Sequence, residues 1–159
     1  MLDSILPTVT QLTVREASEA DLPSLLRLLD QMDESMYPRR QAADDARLRE
    51  LFQAVLRDPD QHLLLAEAGG RAVGTAHLMV LQHFDRHLNR SAVVEGVVVD
   101  RAYRGKGVGA ALMREAAAVA RKHGCYKLAL SSNLARSGAH RFYSRLGWKR
   151  THYGYSLEL

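Results

Sequence analysis

Glu95 is the sole acid in the run Ala92-Val93-Val94-Glu95-Gly96-Val97-Val98-Val99, and Arg104-Gly105-Lys106-Gly107-Val108-Gly109 follows soon after it. A carboxylate held among apolar neighbours takes up a proton more readily than one in water, which suits a general base. The alternative role is a partner for an arginine or a cap on a sheet edge. The glycines precede a helical stripe of Val108, Leu112, Ala116 and Val119. Where a strand turns into a helix, the first helical N–H groups have no internal partner, and glycine lets a diphosphate approach them without meeting a Cβ. The dipole and the cations of Arg104 and Lys106 add attraction. The competing role is a plain chain reversal. A P-loop is excluded, because no lysine followed by serine or threonine closes the turn. A dinucleotide fingerprint is excluded as well: the acid due about 20 residues later is missing, and Lys122-His123-Gly124 stands in that region.

The elements that must position these groups are legible in the periodicities. Leu12 and Val14 begin a short strand, and Ser18-Glu19-Ala20-Asp21 reads as a capped helix start. Leu22, Leu25, Leu26, Leu29, Met32 and Met36 form a helical stripe that Pro38 ends; Leu48, Leu51, Phe52, Val55 and Leu56 form a second, ending before Pro59. Two strands, His62 to Glu67 and Val73 to Val80, flank Gly69-Gly70, a dipeptide suited to a tight hairpin turn. The valine-rich run should be a central strand covered on both faces. A long helix ends near His123-Gly124, a strand covers Tyr126 to Ser131, and a helix runs from about Ala135 to Leu146. Trp148 to Leu159, rich in aromatics, should add one or two further strands.

The 159 residues suffice for one domain with a sizeable core, and 47% hydrophobic with 25% charged residues excludes a disordered chain. No apolar run approaches the roughly 20 residues that span a bilayer. A single cysteine, Cys125, supports no internal disulfide and suits a reducing compartment, so a cytoplasmic location is expected. Lys plus Arg is 22 against 18 Asp plus Glu, and this formal +4 is too small to demand nucleic acid.

The run from Val94 to Asp100, then Tyr103-Arg104-Gly105-Lys106-Gly107-Val108-Gly109 and Leu112, resembles the acyl-coenzyme A motif of the GNAT N-acetyltransferase superfamily. The stretch from Asn133 through Ala139-His140-Arg141-Phe142-Tyr143 to Gly147-Trp148 is similar to the second motif of the same superfamily. The resemblance spans essentially the whole chain and implies a single domain over residues 1–159. It implies an α/β (α+β) fold: a mixed, mostly antiparallel sheet of six or seven strands with helices on both faces. In such a fold the fourth and fifth strands part to admit a pantetheine arm. It further implies an enzyme that moves an acetyl group from acetyl-coenzyme A (acetyl-CoA) to a primary amine of a small molecule, by direct attack in a ternary complex. Metal and membrane have no expected part.

Residue by residue, the resemblance implies that Val97, Val98 and Val99 line the cosubstrate arm, and that Arg104, Gly105, Lys106, Gly107, Val108 and Gly109 hold its diphosphate. Glu95 becomes the base, acting directly or through water, and Gly96 marks a bulge or close approach. Tyr143 becomes the acid that protonates the departing thiolate; without the resemblance it reads as a packed aromatic beside Ala139, Phe142 and Leu146. Asn133 becomes a contact to the cosubstrate arm, where its plain role is a loop turn or cap. The same fold admits a non-catalytic acyl-CoA sensor or interaction protein, and a protein or peptide N-acetyltransferase. Homodimers are frequent among similar proteins.

The segment from Ala139 to Tyr153 resembles the aminoalkylphosphonate N-acetyltransferase branch more than the histone-modifying one. An anionic acceptor would call on Arg39, Arg40, Arg86 or Arg90; a cationic one on Asp33, Glu34, Asp44 or Asp45. His83 and His87 read as a solvated loop, Cys125 as core, and Arg114, Arg121 and Lys122 as an exposed helix face.

Overall fold

Gly69 and Gly70 both adopt positive φ, +57° and +75°, the geometry that closes a two-residue hairpin without splaying its strands. The computed structural model describes residues 11–32, 45–84, 89–157 and 159. The chain divides into two compact units, Met1–Ala129 and Leu130–Leu159.

The first unit holds a five-stranded sheet in the order β1 (Leu12–Glu16), β2 (Gln61–Ala68), β3 (Arg71–Gln82), β4 (Arg90–Val99) and β5 (Cys125–Ala129). All neighbours are antiparallel except β4 and β5, which run parallel and are joined through helix α3 (Val108–Lys122). Before β2 come α1 (Leu22–Leu29) and α2 (Asp45–Arg57). The Asp21 carboxylate accepts from Ser18 N–H and Oγ at 2.7 and 2.9 Å, the expected capped start, although a single 3-10 turn intervenes before α1. Arg15 grips Asp21 through both terminal nitrogens and reaches Glu67, tying β1 to the helix start and to β2.

Helices cover both sheet faces, and the register shows why. Leu65 on β2 and Val98 on β4 pack with Leu25, Leu28 and Phe52 of α1 and α2. Gly74, adjacent to the Thr75 that pairs with Leu65, faces the other way. A Cβ there would meet Val108 Cγ1 at 2.8 Å and Leu112 Cδ1 at 3.0 Å, so α3 lies directly against the backbone of β3. Val108, Leu112, Met113, Ala116, Val119 and Ala120 are its buried side, while Arg114, Arg121 and Lys122 are exposed as expected.

Three expectations are corrected. In α1 the buried side chains are Leu25 and Leu28, whereas Leu29 is 39% exposed. The abundance of leucines made two stripes available, and packing against Phe52 and Leu65 selects the one at three-residue spacing. Met36 and Pro38 lie outside the described residues. Strand β4 is central but not fully covered: Ala92, Val94 and Val98 are buried, while Val93, Val97 and Val99 are partly exposed. The sheet has five strands among the described residues instead of six or seven, because residues 148–157 form no strand. Alternating aromatics suit a pleat, but a strand exists only where a neighbour completes its ladder, and Tyr153 and Tyr155 are 91% and 96% exposed. The second unit contributes α4 (Ser137–Arg145), close to its expected span.

Candidate active site

Two irregularities in β4 set the site. Thr75 pairs with Val98 and His77 with Glu95, so the single residue between them on β3, Ala76, faces two on β4, Gly96 and Val97, and Gly96 takes up the surplus at φ +59°. This is a β-bulge of the kind glycine permits at low cost, where the sequence placed one. The parallel ladder to β5 joins Arg90, Ala92 and Val93 to Cys125, Leu128 and Ala129 and ends there. Among the described residues, β4 continues from Val94 to Val99 without a β5 partner, because β5 itself ends at Ala129.

Glu95 therefore sits at the bulge, half-buried, on the sheet face that also carries Val98, and directly across the ladder from His77. Directly opposed residues of an antiparallel pair hold their Cβ atoms about 5 Å apart, so the two side chains are neighbours. His77 is a residue the sequence reading passed over; the hairpin at Gly69-Gly70 sets it against Leu63 of β2, but its place across from Glu95 depends on the β3–β4 register. Burial, with the neighbouring His62 adding to it, holds its imidazole below the usual histidine range. Its Nε2 is buried and has no hydrogen-bond partner among the described residues.

Beyond Val99 the chain makes a short 3-10 turn, Arg101–Tyr103, capped by Asp100, whose Oδ1 accepts from Ala102 N–H at 3.1 Å. Gly105 and Gly107 follow with φ of +73° and +85°, and Gly107 caps α3 in the left-handed conformation. Ala111 N–H is bonded back to Gly107 C=O at 3.0 Å, which leaves the preceding amides of the first turn outside the helical ladder. No atom lies within 4 Å of where a Cβ on Gly105 or Gly107 would stand. Bare amides facing open space at a helix N-terminus fit a diphosphate. The two cations are held in place already: Arg104 Nε donates to Val99 C=O at 3.2 Å, and Lys106 Nζ stands 5.3 Å from the Tyr103 ring centre. The Val99 carbonyl is thus engaged by Arg104, while Val97 lies on the unladdered stretch.

In the second unit, Asn133 Oδ1 accepts from Ala135 N–H at 2.9 Å, an Asx turn, and its carbonyl oxygen lies 2.9 Å from His140 Nε2. The plain role weighed for Asn133 is therefore present. Tyr143 lies on α4 with its ring 5.0 Å from Phe142 and 5.9 Å from Trp148. Its carbonyl accepts from Trp148 N–H at 3.0 Å, which fixes the chain after the left-handed Gly147.

Other groups singled out in the sequence have structural duties. His83 Nε2 lies 2.6 Å from Ser91 Oγ and its ring meets Tyr126 edge-on, while His87 lies outside the described residues. Burial raises the Cys125 thiol above its ordinary range, which suits an inert side chain and no nucleophile. Arg90 donates to Gln82 at 3.1 Å and stands 3.7 Å from Asp60. Arg39, Arg40, Arg86, Asp33, Glu34 and Asp44 lie outside the described residues, as does the Asp45 side chain. Among the described residues no cluster of His, Cys, Asp or Glu could hold a metal ion, and no helix is long and apolar enough to cross a membrane.

Comparison with known proteins places the chain as a whole. The profile of the Acetyltransferase (GNAT) family matches residues 23–148. An aminoalkylphosphonate N-acetyltransferase of Salmonella typhimurium is 32% identical over 92% of this chain and 90% of its own length. A glucosamine 6-phosphate N-acetyltransferase of Trypanosoma brucei brucei is 32% identical over 89% of this chain and 91% of its own. A solved structure, a putative acetyltransferase from Agrobacterium tumefaciens, superposes with a TM-score of 0.81 at 28% identity, covering 92% of this chain and 99% of that one.

Proposed function

This chain belongs to the acetyltransferase (GNAT) family and is an N-acetyltransferase, and on that premise we propose that it carries an acetyl group from acetyl-CoA to the primary amine of a small molecule by direct attack. The supporting observation is the continuous run of β4: a carboxylate at a glycine bulge, an unladdered edge, then a left-handed glycine turn into the N-terminus of α3. The first unit contributes the turn, whose amides from Arg104 to Gly109 bind the diphosphate, and the edge at Val97 to Val99, which lines the arm.

An amine of lysine type, with a pKa of about 10.4, arrives protonated and must lose a proton before it attacks. Glu95 accepts that proton, directly or through water. The amine nitrogen then bonds to the acetyl carbon, the carbon–sulfur bond breaks, and the thiolate receives its proton from Tyr143. The second proton that the nitrogen sheds on becoming an amide passes through water to restore the Tyr143 hydroxyl. Amides near Gly96 are donors for the oxyanion that develops on the carbonyl. Asn133 contacts the cosubstrate arm, and residues 1–159 act as one acetyltransferase domain.

The named substrates of the two relatives, an aminoalkylphosphonate and glucosamine 6-phosphate, each join an amine to a phosphorus-borne anion. We extend that class to this chain. The test is release of free thiol from acetyl-CoA with a panel of aminoalkylphosphonates, amino-sugar phosphates, uncharged amines and peptides. Release that requires a phosphorus-bearing amine is the expected outcome. No acceptor-dependent release, with coenzyme A still bound, would convert the reading to a sensor of acyl-CoA.

A further inference from the structure

The diphosphate turn does not stand on its glycines alone. Asp100, the residue that follows β4, is 5% exposed, and its carboxylate is shared by three structural elements. Oδ1 accepts from Ala102 N–H at 3.1 Å and so shapes the 3-10 turn that leads to Gly105. Oδ2 accepts from Arg27 Nη1 of α1 at 2.8 Å, with Arg71 of β3 at 3.4 Å. The other arm of the Arg27 fork donates to Ala72 C=O at 2.6 Å. A further bond runs the same way: Arg101 N–H donates to Gln31 Oε1, just after α1, at 3.0 Å. Main-chain bonds close the arrangement, from Asp100 N–H to Val73 C=O at 2.9 Å and from Tyr103 N–H to Asp100 C=O at 2.8 Å. Every polar atom of Asp100 is thereby used, by partners on α1, on β3 and in the 3-10 turn.

We infer that Asp100 and Arg27 are positioning residues for the cosubstrate: their ion pair fixes the angle at which the chain leaves β4, and so aims the amides from Arg104 to Gly109 at the diphosphate. Neither side chain touches the cosubstrate. They act through the turn, whose amides are useful only when pre-set, because a turn ordered at the moment of binding subtracts its ordering entropy from affinity. A bidentate arginine suits this duty and a lysine does not, since only the planar fork reaches Asp100 and Ala72 C=O together. Burial alone would raise the Asp100 carboxyl; the Ala102 N–H, Arg27 and Gln31 outweigh it and hold the group ionised below the usual carboxylate range. The inference rests on the reading of the glycine turn as a diphosphate site.

The test compares Asp100→Asn, Asp100→Ala, Arg27→Lys, Arg27→Met and Gly107→Ala. Calorimetry with coenzyme A is done at a temperature where circular dichroism shows each variant folded, and KM is measured for both substrates. Asp100→Ala should weaken coenzyme A binding by about tenfold or more and raise KM for acetyl-CoA with little change in KM for the amine. Asp100→Asn, which keeps an acceptor for Ala102 N–H, should lose less. Arg27→Met should lose affinity, Arg27→Lys should fail to restore it fully, and the Asp100→Asn, Arg27→Met double variant should be no worse than the weaker single. Lower melting temperatures with unchanged affinity in the Asp100 and Arg27 variants would overturn the inference and leave only a structural ion pair. If Asp100→Ala does not fold, Asp100→Asn and the Arg27 variants decide. Gly107→Ala separates the two claims: weakened binding there with normal Asp100 variants removes the clamp alone, while normal binding in Gly107→Ala removes the diphosphate reading itself.

Discussion

The turn that follows β4 and the tail that follows α4 carry equally suggestive sequences, yet only one has its geometry completed from within. Positive φ at Gly105 and Gly107, the Asp100 cap and the start of α3 are decided by near neighbours in the chain. Residues 148–157 show the alternation of a strand but have none, with Tyr155 96% exposed. The charges divide in the same place. Residues 1–129 carry 17 basic and 17 acidic side chains, and residues 130–159 carry Arg136, Arg141, Arg145, Lys149 and Arg150 against Glu158, so the formal +4 belongs wholly to the second unit. A motif whose requirements are local folds as read; a pattern that needs a distant strand remains a pattern.

The largest expected effect tests the chemical half of the contrast. Glu95→Gln should lower turnover about 100-fold near neutral pH, with the deficit narrowing as pH rises toward the pKa of the acceptor amine. Initial rates of thiol release across pH measure this, and an equal deficit at every pH would remove Glu95 as base. On the second unit, Tyr143→Phe should cost about tenfold, less than Glu95→Gln because a thiol is already a fair leaving group. A loss confined to thermal stability would return Tyr143 to its packing role beside Phe142 and Trp148.

Next in size is the close approach of α3 to the sheet. Gly74→Ala sets a Cβ 2.8 Å from Val108 Cγ1 and 3.1 Å from the Val98 carbonyl oxygen, which is backbone and cannot turn aside. The cost should be about 1–3 kcal/mol, read from denaturant melts, because overpacking forces α3 outward. A neutral result would mean that α3 is looser against β3 than the register requires.

Stability should also fall as the solution is acidified, in two stages. His77 and His123 are held below the ordinary histidine range, chiefly by burial, so their neutral forms belong to the fold. Their contribution is complete above the unfolded value of about 6.5 and is lost as pH falls through the lower folded values. Asp21, through its bonds to Arg15, and Asp100 are held below the ordinary carboxylate range. What they add is present above about pH 4 and disappears on further acidification. Thermal midpoints that stay level from about pH 7 to about pH 5 would contradict the histidine stage. The smallest effect should come from the tail: Tyr153→Ser with Tyr155→Ser should change stability by less than about 0.5 kcal/mol, and a larger loss would show that those rings are covered in solution.

Most of the architecture was legible because its determinants are short-range. The hairpin at Gly69-Gly70, the bulge at Gly96 and the stripe of α3 each declare themselves within a few residues. The stripe of α1 did not, since a run of leucines offers two faces and only Phe52 and Leu65 choose between them. Within the candidate site, Glu95 and the glycines were read from the chain, whereas His77 and Arg27 were missed. Their importance comes from what lies opposite them, and Arg27 is separated by most of the sheet from the Asp100 it binds. An aspartate two residues before a bonded amide is a recognisable turn signal, so Asp100 was within reach of a closer reading.

The surplus residue in β4 also resets the parity of the strand. Glu95 and Val98 look to the same side although they are three positions apart, because Gly96 absorbs the odd step. Excising that one glycine would leave Glu95 facing His77 and Val98 facing Thr75 in an unbroken ladder, so Val98 would keep its place in the core while the kink beside Glu95 vanished. The bend that sets the carboxylate apart from its strand is stored in a single residue that has no side chain.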